Sequence, residues 1–159
     1  MNKAETKIEL VISECKKHIE RLEYAKKNMK GLMPLTGKKY ENLENEEVIY
    51  IDQFLYRFAK LQDAIGQKLI KSLYEVLGEG AENNSFRDVF DKLEQIGIIE
   101  NYEEWNSLRE IRNELSHEYG DDIKESATKL NMIYKMDKTL IKYFNDIENY
   151  YEKYKNKQK

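Results

Sequence analysis

Apolar residues recurring at three- and four-residue steps constrain this chain more than any other feature. Val48, Ile51, Phe54, Leu55, Phe58, Leu61, Ile65, Leu69, Leu73 and Val76 follow that spacing, which lines one face of a helix turning every 3.6 residues. The pattern predicts a helix over Leu43–Leu77, roughly 50 Å long at the standard rise if unbroken. Its apolar stripe is wide enough to face two neighbours rather than one. Gly66 sits inside it as a sign of a close helix contact or a bend, and Gly78 and Gly80 stop it.

The same period recurs on either side. Ile8, Val11, Ile12, Cys15, Ile19, Leu22 and Met29 predict an amphipathic helix from about Lys3 to Met29, after which Gly31, Pro34 and Gly37 open a loop to about Asn42. Ser85 with Asp88, Asn101 with Glu104, and Asp122 with Glu125 repeat the three-residue spacing of a helix start. They predict a short helix ending at Ile96-Gly97, one carrying Trp105, Leu108, Ile111 and Leu115 inward, and a last one through Leu130, Leu140, Phe144 and Tyr151. No segment alternates as a strand would. One proline and seven glycines among 159 residues are too few for a β-sandwich or a Gly-rich cofactor fold. The expected class is all-α: an antiparallel up-and-down bundle of four to five helices in one domain over 1–159, with 153–159 a frayed tail.

Charge narrows the function classes. The formal net charge is −3, whereas a protein that grips duplex nucleic acid normally carries a basic face. A small RNA-cutting site needs only a few local cations and is less affected. The lysines at 153, 155, 157 and 159 read as solvated. Cys15 is the only cysteine, so no internal disulfide forms. Cys15 and His18 lie three apart on one helix, but nothing completes a ligand set, and a packing thiol is the better reading. No metal or cofactor is expected. The N-terminal residues lack the apolar run of a signal peptide, and no stretch approaches the length needed to span a bilayer. The expected compartment is a reducing cytoplasm.

One segment carries chemistry: Arg112-Asn113-Glu114-Leu115-Ser116-His117-Glu118-Tyr119. On a helical wheel Arg112 and Tyr119 border the stripe of Leu108, Ile111 and Leu115. Arg109, Asn113 and His117 form a column on the other side. An arginine beside an apolar stripe needs a partner, because a buried unpaired charge is costly. Asp52 or Asp63 on the long second helix could supply it. His117 points away from its own core, towards solvent or a second subunit. On spacing alone, a histidine near a helix end often only complements the terminal dipole.

The stretch from Leu108 to Tyr119, with the upstream run from Ile51 to Gly66, resembles HEPN domains, and the Tyr two places after His resembles the HepT-like toxins among them. The resemblance implies a metal-independent endoribonuclease acting as a homodimer on an RNA substrate, with both motifs meeting in a cleft between subunits. It implies catalytic roles for Arg112, His117 and Asn113; Ser116, Asp52 and Asp63 are the candidate supporting residues. His117 would move protons and Arg112 would stabilise charge on the scissile phosphate. Tyr119 is either a packing residue or, as the resemblance implies, the site that a partner nucleotidyltransferase antitoxin modifies with AMP. Glu114 and Glu118 would repel RNA unless they point away or pair with lysines. The competing expectations are a non-catalytic partner or substrate-binding module of a nucleotidyltransferase, and a purely structural helical dimer.

Overall fold

The computed structural model describes residues 1–78, 84–116 and 122–158, without the side chains of 115 and 116. Its helices are α1 (Lys3–Met29), α2 (Gly37–Glu41), α3 (Asn45–Asp63), a π-helical segment (Ala64–Leu69), α4 (Ile70–Val76), α5 (Phe86–Gln95), α6 (Tyr102–Ser116) and α7 (Ile123–Lys157). The chain is all-helical, with no strand among the described residues. No described helix is long and apolar enough to cross a membrane.

The helix starts follow from local hydrogen bonding. The first backbone N–H groups of a helix lack internal partners, and a short polar side chain supplies one. Ser85 Oγ accepts from Asp88 N at 3.1 Å, Asn101 Oδ1 from Glu103 N at 2.8 Å, and Asp122 Oδ1 from Glu125 N at 3.1 Å. Gly97, at φ +78°, closes the end of α5 in the left-handed region that favours glycine. Gly78 does the same after α4 at φ +88°; Gly80 lies outside the described residues.

Two expectations need correction. The 31–42 stretch is not wholly a loop, because Thr36 caps the short helix α2 by accepting from Lys39 N at 3.1 Å. The tail does not fray at residue 153. Helix α7 continues to Lys157, fastened by Lys155 Nζ to Glu9 Oε1 at 3.0 Å.

Ile8, Leu22, Phe54, Phe58, Leu61, Phe90, Leu108, Leu140 and Ile147 belong to one hydrophobic cluster drawn from α1, α3, α5, α6 and α7. Burying each such side chain contributes about 1.5–3 kcal/mol. Helix α1 packs along α3, and α6 contacts α3, α5 and α7. Tyr143 on α7 pins the start of α6: its single hydroxyl hydrogen is shared between Asn101 O and Glu104 Oε1, each 2.9 Å from the phenol oxygen. Burial, and then the Glu104 carboxylate, push this phenol's pKa up, so it remains a donor.

Candidate functional site

Helix α6 lays Trp105 and Leu108 into the core, both almost fully buried, with Ile111 half-buried. Arg112, one turn beyond Leu108, therefore emerges at the rim of the apolar stripe. Its acidic partner is Asp63, the last residue of α3: Arg112 Nη2 donates to Asp63 Oδ2 at 2.8 Å. Nη1 donates to Asn113 Oδ1 at 3.1 Å. Both members of the ion pair are near 30% exposed, so solvent screens the pair and its contribution to stability is at most about 1 kcal/mol.

Asp52 is not that partner. It lies on the exposed side of α3, lining a separate groove with Arg21, Tyr24, Ile49, Tyr50, Gln53, Tyr56 and Arg57. Ser116 ends α6. His117 and Tyr119 lie outside the described residues. The structure thus brings together Arg112, Asn113 and Asp63, and it separates Asp52 from them. Glu114 is exposed, 4.0 Å from Lys129.

The ion pair lines a cavity of about 200 Å³, walled by Gln62, Asp63, Gly66, Gln67, Lys71, Phe86, Trp105, Arg109 and Arg112. Asp63, Gly66 and Gln67 lie in or next to the π-helical segment. A helix that bonds i to i+5 is locally wider than an α-helix, and such segments recur at functional sites. Gly66 is required there: a Cβ built on it would lie 2.9 Å from Trp105 Cζ2. Trp105 cannot yield readily, being held between Phe86, Phe90 and an edge-to-face contact with Tyr143 at 5.4 Å.

The cavity has an unusual charge balance. Lys71, Arg109 and Arg112 face a single carboxylate, Asp63, in a chain of net charge −3. Arg112 Nε and both amide atoms of Gln62 are buried without hydrogen-bond partners. Gln62, Gln67 and Lys71 are not legible in the sequence as site residues, and the helical wheel puts Arg109 on the opposite column rather than beside Arg112. The available signal is an arginine pair at i and i+3, which share a helix face.

Elsewhere, Cys15 is fully buried and its thiol is pushed up to about 12 by burial, which removes it as a nucleophile at neutral pH. His18 sits against Arg57 rather than in a ligand cluster. Among the described residues no three His, Cys, Asp or Glu side chains gather into a group able to hold a metal ion.

No family model matches the chain, and no solved structure matches it. A similar protein is the DNA repair protein RecN of Aquifex aeolicus (strain VF5), 30% identical over 112 residues. That similarity covers 62% of this chain and 21% of RecN. The chain therefore spans about a fifth of the length of the curated relative it matches, and the similarity does not show its family.

Proposed function

We propose that this chain is a metal-independent endoribonuclease toxin of the HEPN kind, an antiparallel up-and-down helical bundle acting on RNA as a homodimer. One observation carries the reading. Arg112 is held by Asp63 and Asn113 in the wall of a cation-rich cavity, five residues before His117 in the Arg-Asn-Glu-Leu-Ser-His-Glu-Tyr segment. Each Nη donates one of its two N–H groups to these holders, so the guanidinium keeps donors for a phosphate.

The chemistry follows from the side chains. His117, acting as base, takes the proton of a ribose 2′-hydroxyl, and the 2′-oxygen attacks the adjacent phosphorus. The bond from phosphorus to the 5′-oxygen breaks, and that oxygen gains a proton from an imidazolium supplied by the second subunit's copy of the motif. The products are a 2′,3′-cyclic phosphate and a 5′-hydroxyl. Arg112 stabilises the charge that builds on the non-bridging oxygens. Asn113 fixes the Arg112 rotamer through the 3.1 Å contact. AMP added to Tyr119 by a nucleotidyltransferase antitoxin would place negative charge two residues from His117 and oppose RNA.

The test is incubation of purified, unmodified protein with RNA in excess chelator. Cleavage to cyclic-phosphate ends, lost in His117→Ala and Arg112→Ala variants that remain folded, is the expected result. Intact RNA with well-folded wild type removes the reading. The ion pair with Asp63 favours a second one, because it leaves Arg112 partly neutralised: a non-catalytic helical module bound to a nucleotidyltransferase. That reading expects complex formation to survive both substitutions, with no cleavage at any protein concentration.

A further inference from the structure

We infer that the cavity between the π-helical segment and α6 is a phosphate subsite, in which Lys71 and Arg109 bind the backbone phosphate next to the one engaged by Arg112. The inference rests on the ribonuclease reading and adds where the substrate lies. It also predicts anion binding that needs no catalysis.

The argument starts from repulsion. Arg109 and Arg112 are three apart on α6, and like charges at that spacing destabilise a helix by about 0.2–0.5 kcal/mol. Lys71, at the start of α4, is a third cation at the same cavity. Acids for pairing exist on α6 itself: Glu103, Glu104, Glu110 and Glu114. Yet Asn106 takes Glu110, Tyr143 takes Glu104 and Lys129 approaches Glu114. Lys71 and Arg109 make no ion pair among the described residues, although both line the cavity that holds Asp63. Three cations lining one cavity with a single carboxylate form a site that gains from an anion.

A second observation is independent of charge. Gln62 is 3% exposed, and neither its amide oxygen nor its amide nitrogen has a partner; Arg112 Nε is likewise orphaned in the same wall. A buried polar group left unsatisfied costs about 1–3 kcal/mol. An anion supplies acceptors and no donors, which suits the guanidinium, ammonium and amide N–H groups of this wall but not the Gln62 amide oxygen.

Size selects among anions. At about 200 Å³ the cavity falls below the roughly 300–1,000 Å³ of sites for drug-sized ligands. It takes one phosphate-sized group, with the half-buried Phe86 ring offering an apolar edge to whatever the phosphate carries. A free nucleotide and an RNA strand share this chemistry, and the experiment separates them.

The experiment uses the full chain and its single tryptophan, Trp105, which lines the cavity and reports occupancy by fluorescence. Three probes are titrated: inorganic phosphate, AMP, and a 2′-O-methyl oligonucleotide that cannot be cleaved. The Lys71→Ala/Arg109→Ala double variant is compared with Lys17→Ala/Lys27→Ala on α1, which loses the same charge from exposed positions. The oligonucleotide is expected to bind wild type and the α1 variant alike, and the cavity variant at least about tenfold more weakly. Its log–log salt slope should be shallower by about 0.7 for each phosphate that the cavity variant no longer neutralises. Phosphate or AMP binding without the oligonucleotide would overturn the backbone assignment in favour of a free-nucleotide site. Equal oligonucleotide binding by the two double variants, or none by wild type, would overturn the subsite altogether. Cleavage assayed separately on unmodified RNA tests the nuclease reading: absence of catalysis with the binding difference intact removes only that reading.

Discussion

Two of the ion pairs that cross between helices, Lys26–Asp137 and Arg112–Asp63, are built in opposite ways. Lys26 on α1 reaches Asp137 on α7 at 2.6 Å, donates to Tyr134 O at 3.0 Å, and lies over the Tyr134 ring. Asp137 is 3% exposed. One ammonium meets one carboxylate, and the neighbouring groups complete its coordination. Asp63 and Arg112 meet at a similar distance, 2.8 Å, but in partial solvent, with two further cations beside them and an orphaned Nε. A one-to-one pair with its carboxylate buried fastens helices. An unbalanced, open one leaves affinity for something that is not part of the chain.

The contrast is sharpest under substitution. Arg112→Ala should reduce RNA cleavage by about 10²–10³-fold, the usual loss when a donor to developing oxyanion charge is removed. It should cost no more than about 1 kcal/mol of stability, because Asp63 can be solvated. Lys26→Met should do the reverse. It strands a buried carboxylate at a cost of about 3 kcal/mol in urea denaturation while leaving cleavage per folded molecule intact. Lys26→Met/Asp137→Leu should recover most of that stability, since a well-packed apolar pair can replace a buried ionic one. If Arg112→Ala unfolds the protein while Lys26→Met only slows cleavage, the two roles have been assigned backwards.

Gly66→Ala probes the seam between the open site and the core. Alanine in a helix gains about 1 kcal/mol over glycine. The added methyl would lie 2.9 Å from a Trp105 ring boxed in by aromatic neighbours, and such overpacking costs about 1–3 kcal/mol. A net loss of stability is expected, with a shift in Trp105 emission. A gain would mean that the α6 contact with the π-helical segment gives way easily.

How much of this is legible in the sequence depends on the range of the interaction. The caps at Ser85, Asn101 and Asp122 are legible because each is a hydrogen bond within three residues. The choice between Asp52 and Asp63 is not. They lie eleven residues apart, roughly three turns, on almost the same helix face, and only the docking of α6 near the end of α3 decides between them. The π-helical segment is invisible because no residue type announces an i to i+5 bond. Its extra residue rotates the helical phase of α4. Ile70 and Tyr74 are buried although the regular period does not select them, while Val76, which it selects, is half-buried. The short helix α2 is masked by the Gly and Pro around it.

The smallest expected effect concerns His18, a second place where an arginine meets a partner across helices. Arg57 Nη1 lies 3.0 Å from His18 Nδ1. The guanidinium can only donate, so the ring is neutral with its proton on Nε2, which faces Glu14 Oε1 at 3.6 Å. Burial lowers the pKa of this imidazole; the hydrogen bond to Glu14 opposes the shift and the charge on Arg57 reinforces it. A histidine whose folded pKa lies below its unfolded value binds more protons when unfolded. Stability therefore rises with pH through that window and falls as pH drops below about 6.5, the unfolded value. Urea midpoints at pH 7.5 and pH 5.5 should differ more for wild type than for His18→Gln, which keeps polar reach but does not titrate. Equal differences in the two proteins would show that the imidazole titrates alike in the folded and unfolded chain, so that burial beside Arg57 does not govern its charge.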